Sequence, residues 1–217
     1  MLRWRSCGLG ALGALLCTCA AAGTVEVRIV DSSGAPAANA VVTLRPDTPG
    51  IAVPPRAPKA GVIDQRHETF LPLVVVVRKG GQVIFTNNDT TMHQVYSFSA
   101  IKQFEFEIDR GRTSKPVLFD MAGVAAIGCN IHDNMVAYVF VADAPIAAIT
   151  GPDGRARIED VPPGAYHIAL WHPQLRIGRR PADAALQVGA DTTTYSASLP
   201  LMQTAMPRMS HMHDSDY

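Results

Sequence analysis

Four side chains that bind metals lie in the middle of this 217-residue sequence. Cys129, His132 and Met135 have C-x2-H-x2-M spacing, and His93 lies upstream in a second apolar segment. A thiolate, two imidazoles and a weak axial thioether are the ligand set of copper centres that transfer single electrons. Each sulfur is a soft ligand, whereas imidazole suits both oxidation states of copper. The four residues therefore predict one type 1 (blue) copper centre, in which Met135 is the axial ligand.

The N-terminus has the pattern of an export signal. A basic start is followed by the apolar run Leu9–Leu16 and by small residues, Ala20–Ala22, suited to cleavage before Gly23. We expect a signal peptide over residues 1–22 and a periplasmic mature protein. Lipid anchoring at Cys19 is the alternative, which is less favoured because Thr18 is a poor residue before a lipidated cysteine. No later segment is apolar for long enough to span a membrane, so none is expected in the mature chain.

Removal of residues 1–22 would also remove Cys7, Cys17 and Cys19 and leave Cys129 as the one thiol. A lone thiol is a liability in an oxidising compartment, and a buried inert cysteine is the alternative to a metal ligand. The neighbouring histidine and methionine favour the metal thiolate. Lys plus Arg would fall from 19 to 17 against 19 Asp plus Glu, a net charge of −2, which excludes the basic surface that nucleic-acid binding needs.

Short alternating runs predict β-strands along the whole chain. Val25, Val27 and Ile29 alternate with charged residues, and the continuous apolar run from Leu73 to Val77 suits a strand buried on both faces. The proline-rich residues 46–60 are typical of a connector. Because no stretch beyond the signal has convincing helical periodicity, the predicted class is all-β.

The first and last parts of the predicted mature chain share a pattern of strong turn motifs and short alternating apolar runs. Residues 24–45 carry a D-x-x-G-x-P turn, Asp31 to Pro36, and the segment from Gly151 to Pro173 has strong turns and alternating apolar residues. Together they resemble a small transthyretin-like or carboxypeptidase-regulatory-like β-sandwich. The resemblance implies that residues 23–60 and 143–199 are two parts of one such sandwich, followed by a Met/His-rich tail over 200–217.

Residues 61–142 resemble the cupredoxins, the plastocyanin and amicyanin family. The stretch 77–87, VRKGGQVIFTN, is similar to the family's V-x-x-G-x-x-V-x-[FW]-x-N segment, and His93 follows Asn87 by six positions, as the first copper ligand does there. Gly123 precedes Cys129 by the family's six positions, and the C-x2-H-x2-M loop is of the short amicyanin type. The resemblance implies a cupredoxin-type Greek-key β-sandwich. The wider arrangement is also similar to exported proteins labelled methylamine utilisation proteins.

Several positions depart from the family's pattern. Ile131 and Asp133 replace prolines that often flank the second histidine, and Gln94 follows His93 where Asn is typical. Ala125 and Ile127 replace aromatic residues. These differences leave the four ligands intact. We expect them to change the reduction potential of the centre, the hydrogen bond between the two ligand loops and the surface that contacts a redox partner.

The remaining histidines and methionines are given structural interpretations. His67 and His167 are interpreted as surface residues, and Trp171-His172-Pro173 as a strand end. Met92 and Met121 are interpreted as core residues. The tail is interpreted as a chain end, with Cu(I) capture by its thioethers as the alternative; its soft or imidazole side chains are Met202, Met206, Met209, His211, Met212 and His213.

Three functions are open at this point. The leading one is a periplasmic blue-copper electron carrier that exchanges single electrons with redox partner proteins of unknown identity. The second is a copper storage or delivery module, and the third is a structural or carbohydrate-binding sandwich. We do not expect an enzyme, because Gly128 and Asn130 flank Cys129 and no His-x-His pair outside the tail could connect it to a second copper site. The sequence does not indicate an oligomeric state.

Overall fold

The protein is built entirely from β-strands in the part of the chain that the computed structural model describes, residues 22–47, 51, 53, 55–176 and 183–202. The strands are β1 (Gly23–Asp31), β2 (Val41–Pro46), β3 (Ala60–Gln65), β4 (Phe70–Leu71), β5 (Val74–Arg78), β6 (Gly81–Asn87), β7 (His93–Ser99), β8 (Lys102–Ile108), β9 (Val117–Phe119), β10 (Gly123–Cys129), β11 (Val136–Ala142), β12 (Ile146–Ile149), β13 (Arg155–Val161), β14 (Gly164–Trp171), β15 (Ala184–Val188) and β16 (Thr192–Leu199). The predicted all-β class is confirmed. Over these ranges, no helix is long and apolar enough to cross a bilayer.

Strands from both ends of the described chain form one pair of sheets, which we call the terminal sandwich. Its sheets have the strand orders β13-β1-β16 and β12-β2-β14-β15. β1 runs parallel to β16 and antiparallel to β13, so the first strand joins the last. The alternating apolar side chains of the two sheets meet in one core that includes Val25, Val27, Ile29, Leu44, Tyr166 and Ile168.

The middle of the chain forms a second pair of sheets, the central sandwich. Its sheets have the orders β5-β11-β10-β7-β8 and β4-β3-β6-β9. Val74 to Val77 are all buried, as the continuous apolar run predicts. The core between the sheets contains Ile63, Phe85, Val95, Ile127, Val139 and, at one end, Cys129 and Met135.

A smaller apolar cluster joins the two sandwiches. Trp171, the last residue of β14, packs its ring against Tyr138 and Phe140 of β11, with centroid separations of 5.7 and 5.6 Å. Val41, Val74 and other apolar side chains complete the cluster. Because β11 follows the loop with the predicted ligands, the terminal sandwich supports the strand that leads away from them.

Two methionines are not where the sequence predicts them. Met92 and Met121, interpreted as core residues, are 36% and 54% exposed. Met92 lies in the loop before β7 and Met121 in the loop between β9 and β10, so no sheet face directs either side chain inwards. The predicted signal residues 1–21 and the tail beyond Met202 lie outside the described residues.

Candidate metal centre

The predicted ligands meet at one end of the central sandwich because of how its strands begin and end. His93 is the first residue of β7, Cys129 is the last residue of β10, and His132 and Met135 lie in the loop between β10 and β11. β10 pairs antiparallel with β7, with Cys129 opposite Val95. This register brings the start of β7 beside the end of β10.

Three of the four predicted residues bring their ligand atoms together. One ligand atom each from His93, Cys129 and His132 lies within 4.8 Å of the other two. Cys129 Sγ is 3.6 Å from His93 Nδ1, and the two imidazole rings have centroids 5.1 Å apart. Two atoms bound to one ion at about 2.3 Å for sulfur and about 2.0 Å for nitrogen would be separated by about 3.6 Å near a tetrahedral angle. The spacing of Cys129 and His93 therefore fits shared coordination.

His93 is fully buried, and a carboxylate holds its outer nitrogen. Its Nε2 lies 3.2 Å from Asp89 Oδ2, while Nδ1 faces Cys129. A carboxylate partner places the proton on Nε2 and leaves the lone pair of Nδ1 for a metal. The pKa of the Asp89 carboxyl lies below its usual value, chiefly because it accepts the Glu68 backbone N–H, although burial opposes the shift. Asp89 is therefore ionised at neutral pH.

The loop that carries Asp89 is built on a buried amide. Asn87, at the end of β6, donates from Nδ2 to the carbonyl oxygens of Thr91 and Ile108, both at 2.8 Å. Its Oδ1 accepts the Asp89 N–H at 2.9 Å. These bonds satisfy the polar groups of a loop that is partly removed from water, and they fix the residues leading to His93.

His132 presents an unpartnered nitrogen to the same space. Its Nδ1 is buried and has no hydrogen-bond partner among the described residues, whereas its Nε2 lies 3.5 Å from Glu68 Oε1. A buried nitrogen without a partner is costly unless something else binds it. His93 thus directs Nδ1 towards Cys129, His132 keeps its Nδ1 buried, and each ring has a carboxylate at its Nε2.

Met135 lies in the buried core that also contains Cys129, and its side chain is 2% exposed. Its N–H donates to the His132 carbonyl at 3.0 Å, which closes the ligand loop into a turn. The structure thus places the fourth predicted ligand at the end of the loop, with its side chain in the apolar core.

Glu105, on β8, connects the two ligand segments at the surface. Its Oε1 accepts from Gln94 Nε2 and Asn130 Nδ2, both at 2.8 Å, and the Asn130 N–H also donates to the Gln94 carbonyl at 3.1 Å. The Gln94 that departs from the family pattern therefore takes part in a different connection between the loops.

Sequence reasoning missed Asp89, Glu68 and Glu105. Asp89 lies four positions before His93, a spacing that could have indicated a partner, whereas Glu68 is 25 and Glu105 is 12 positions from the nearest ligand in the sequence and carry no local signal. Glu68 reaches the centre through the hairpin turn between β3 and β4, and Glu105 through the pairing of β8 with β7. Their role depends on tertiary structure.

The other histidines noted from the sequence lie away from this site. His67 is exposed in the turn after β3, and His167 is exposed and paired with Asp47 at 3.1 Å, as surface residues should be. His172 is buried and its Nε2 lies 2.8 Å from the Ala38 carbonyl oxygen. Of the methionines and histidines in the predicted tail, Met202 alone lies within the described residues, and it is 46% exposed.

The donor set of His93, Cys129 and His132 could hold one copper ion. Thiolate selects soft ions such as Cu(I), imidazole binds both oxidation states, and a thioether is the further ligand of copper electron-transfer centres, a group that Met135 offers from the core that also contains Cys129. Asp and Glu contribute no direct ligand to the cluster. Hard ions such as Mg²⁺ and Ca²⁺, which prefer oxygen, do not suit it.

A comparison with solved structures finds copper proteins that match this chain over part of its length. A purple cupredoxin from Nitrosopumilus maritimus is 22% identical and matches 38% of this chain and 99% of its own, with a TM-score of 0.35. Amicyanin from Paracoccus versutus is 21% identical over 46% of this chain and 97% of its own, with a TM-score of 0.34. A copper-containing nitrite reductase from Thermus scotoductus is 19% identical over 46% of this chain and 25% of its own, at 0.35.

Neither a protein-family model nor a curated protein sequence matches the chain. The structural neighbours named above resemble this chain only at low similarity.

Proposed function

We propose that this protein is an exported type 1 copper protein that carries single electrons between redox partner proteins. The observation that carries the proposal is that ligand atoms of His93, Cys129 and His132 lie within 4.8 Å of one another, while Met135 is buried in the core that contains Cys129. A bound copper ion would supply the Cu(II)/Cu(I) couple. We do not propose an enzymatic reaction.

The strands and hydrogen bonds hold the ligands in place without a metal. Cys129 ends a strand paired on both sides, and the His93 imidazole is held by Asp89. Only His132, with 24% of its side chain exposed, reaches the surface. A pre-formed site of this kind favours electron transfer, because both oxidation states meet nearly the same ligand positions. His93, Cys129 and Met135 are buried, which would limit the access of water to an ion held by these residues.

The surface around His132 offers a route for electrons to a partner. Ile131 and Val136 are 47% and 42% exposed on either side of the loop, and Met92 is exposed next to His93. Ile131 and Val136 belong to the segment that carries His132, and Met92 precedes the other histidine ligand in the chain. We propose that a redox protein docks there and exchanges an electron through the His132 ring.

Spectroscopy of the copper-loaded protein tests the proposal. Addition of Cu(II) should produce an intense thiolate-to-copper charge-transfer absorption and reversible one-electron reduction. Cys129→Ser should abolish the absorption, because a hydroxyl oxygen cannot supply the covalent sulfur orbital. The Met135→Leu protein should still bind copper, because the axial thioether bond is weak, and its reduction potential should shift.

Copper binding without the absorption, or an absorption that survives Cys129→Ser, would contradict the electron-carrier proposal. A coloured but redox-irreversible site would instead support storage or delivery.

We also propose a periplasmic location with cleavage before Gly23. Intact mass of the protein from an osmotic-shock fraction tests this directly. The expected mass is that of residues 23–217, and a full-length mass or a lipid-modified one would contradict it.

A further inference from the structure

A tight turn between β3 and β4 lies against the proposed copper centre. Arg66 and Thr69 exchange two backbone hydrogen bonds, of 3.0 and 3.1 Å, so His67 and Glu68 form a two-residue hairpin loop. Both have positive φ, 51° and 53°, as a type I′ turn requires. Asn and Gly are the residues preferred there, and each other residue in this region costs about 1–3 kcal/mol. Such strain persists only where surrounding contacts fix the backbone.

The fixing contacts connect the turn to the loop that precedes His93. The Glu68 N–H donates to Asp89 Oδ2 at 2.6 Å, and this same oxygen faces His93 Nε2. One turn residue is thus tied to the carboxylate that holds a ligand. Lower in the hairpin, the Asn88 N–H donates to the Gln65 carbonyl oxygen at 2.9 Å. The position of the turn is therefore set by the loop over residues 87–89.

With the turn held there, the Glu68 side chain reaches the second histidine. Glu68 Oε1 is 3.5 Å from His132 Nε2, on the ring edge opposite the buried Nδ1. Each ligand imidazole then has a carboxylate on its outer nitrogen. The Asp89 side chain is 6% exposed and that of Glu68 is 63% exposed, so water screens the second pair far more than the first.

We propose that Glu68 is a positioning residue of the metal centre, which holds His132 by its outer nitrogen and shifts the centre towards its oxidised form. The inference rests on the proposed function. A carboxylate at the outer nitrogen orients the imidazole and strengthens its donation to a metal. A nearby negative charge also stabilises the doubly charged copper ion more than the singly charged one. Both effects lower the reduction potential.

The test compares Glu68→Gln with Glu107→Gln. Glu107 is an exposed glutamate on β8 of the same sandwich, so its substitution makes the same change in net charge without touching the turn. Two quantities are measured for each variant: the reduction potential with copper bound, and the dissociation constant for Co(II), which is redox-silent under these conditions. Glu68→Gln should weaken Co(II) binding about threefold, the size expected for a solvent-exposed charge interaction. It should also lower the ratio of Cu(II) affinity to Cu(I) affinity about threefold, which raises the reduction potential. Glu107→Gln should change neither quantity measurably.

Glu68→Gly separates the carboxylate from the turn. Glycine adopts positive φ without strain and keeps the backbone N–H that Asp89 accepts, so the thermal midpoint should stay equal or rise. The Co(II) affinity and the potential should nevertheless change as in Glu68→Gln. Equal effects of Glu68→Gln and Glu107→Gln, or unchanged Co(II) affinity in both Glu68 variants, would overturn the inference. Absence of the charge-transfer absorption in the wild-type protein would contradict the proposed function alone, because the Co(II) affinities still decide the role of Glu68.

Discussion

At the scale of single residues, buried polar side chains are held by specific hydrogen bonds, and Gln65 Oε1 and His132 Nδ1 are the buried side-chain atoms without a partner in the described part of the chain. His172 shows this outside the metal centre, because its Nε2 faces the Ala38 carbonyl oxygen at 2.8 Å and its Nδ1 accepts the Gln174 N–H at 3.0 Å. One nitrogen donates and the other accepts, which is the pattern of a neutral ring. Burial lowers the pKa of His172 below its usual 6.5, although the bond to Ala38 opposes the shift.

This arrangement predicts a loss of stability in acid. As the pH falls, His172 binds a proton in the unfolded chain before it does so in the folded chain. The contribution of His172 to the free energy of unfolding should therefore be constant above about pH 6.5 and decrease below it. His172→Gln in the metal-free protein should lose that part of the decline, measured by guanidinium unfolding between pH 7.5 and 5. His167→Gln, an exposed histidine of β14, is the matched control. An identical decline in wild type and His172→Gln would contradict the assignment.

At the scale of elements, an aromatic ring packs over β10, the strand that ends at Cys129. Tyr96 of β7 lies directly over Gly128 of β10, where an added Cβ would be 2.5 Å from Tyr96 Cζ. Gly128 immediately precedes Cys129, and the two strands pair at this point. The close approach of ring and backbone needs a residue without a side chain at position 128.

Gly128→Ala should therefore destabilise the protein by about 1–3 kcal/mol, the usual cost of overpacking. Chemical denaturation measures this loss. Tyr96→Ala in the same chain should recover a large part of it, because the clashing ring is gone. Gly189→Ala is the matched control, since its nearest neighbour lies 3.9 Å from the added Cβ. A Gly128→Ala protein as stable as wild type would show that the strands separate without cost.

At the scale of the whole molecule, the two sandwiches are joined through Trp171. The ring packs on Tyr138 and Phe140, which lie on β11 and face away from the core that holds Cys129. The terminal sandwich therefore supports the outer face of a strand whose preceding loop carries His132 and Met135.

Trp171→Ala should lower the free energy of unfolding by about 3 kcal/mol, because it removes a large aromatic contact from a buried cluster. Denaturant titration of the metal-free protein measures the change, while the charge-transfer absorption of the copper-loaded variant should stay unchanged. Phe98→Ala is the control, since Phe98 is 69% exposed and should cost less than about 0.5 kcal/mol. A midpoint equal to that of wild type would mean that the sandwiches do not stabilise each other.

The sequence by itself determined the strand periodicity and the candidate ligands. Cys129, His132 and Met135 fall within seven residues, so one short loop between paired strands keeps them together whatever the rest of the fold does. Alternation of apolar residues places side chains such as Val25 and Ile29 in a core, because successive residues of a strand point to opposite faces. Metal binding and export themselves stay predictions.

Tertiary structure alone decided what surrounds those ligands. The approach of Glu68 to His132 depends on a two-residue turn held by Asp89, and the Glu105 connection depends on the pairing of β7 with β8. Met92 and Met121 are exposed although both are apolar, because loop residues are not directed by a sheet face. Contacts between residues distant in sequence follow from strand register and turn geometry, and the residue types at those positions do not encode them.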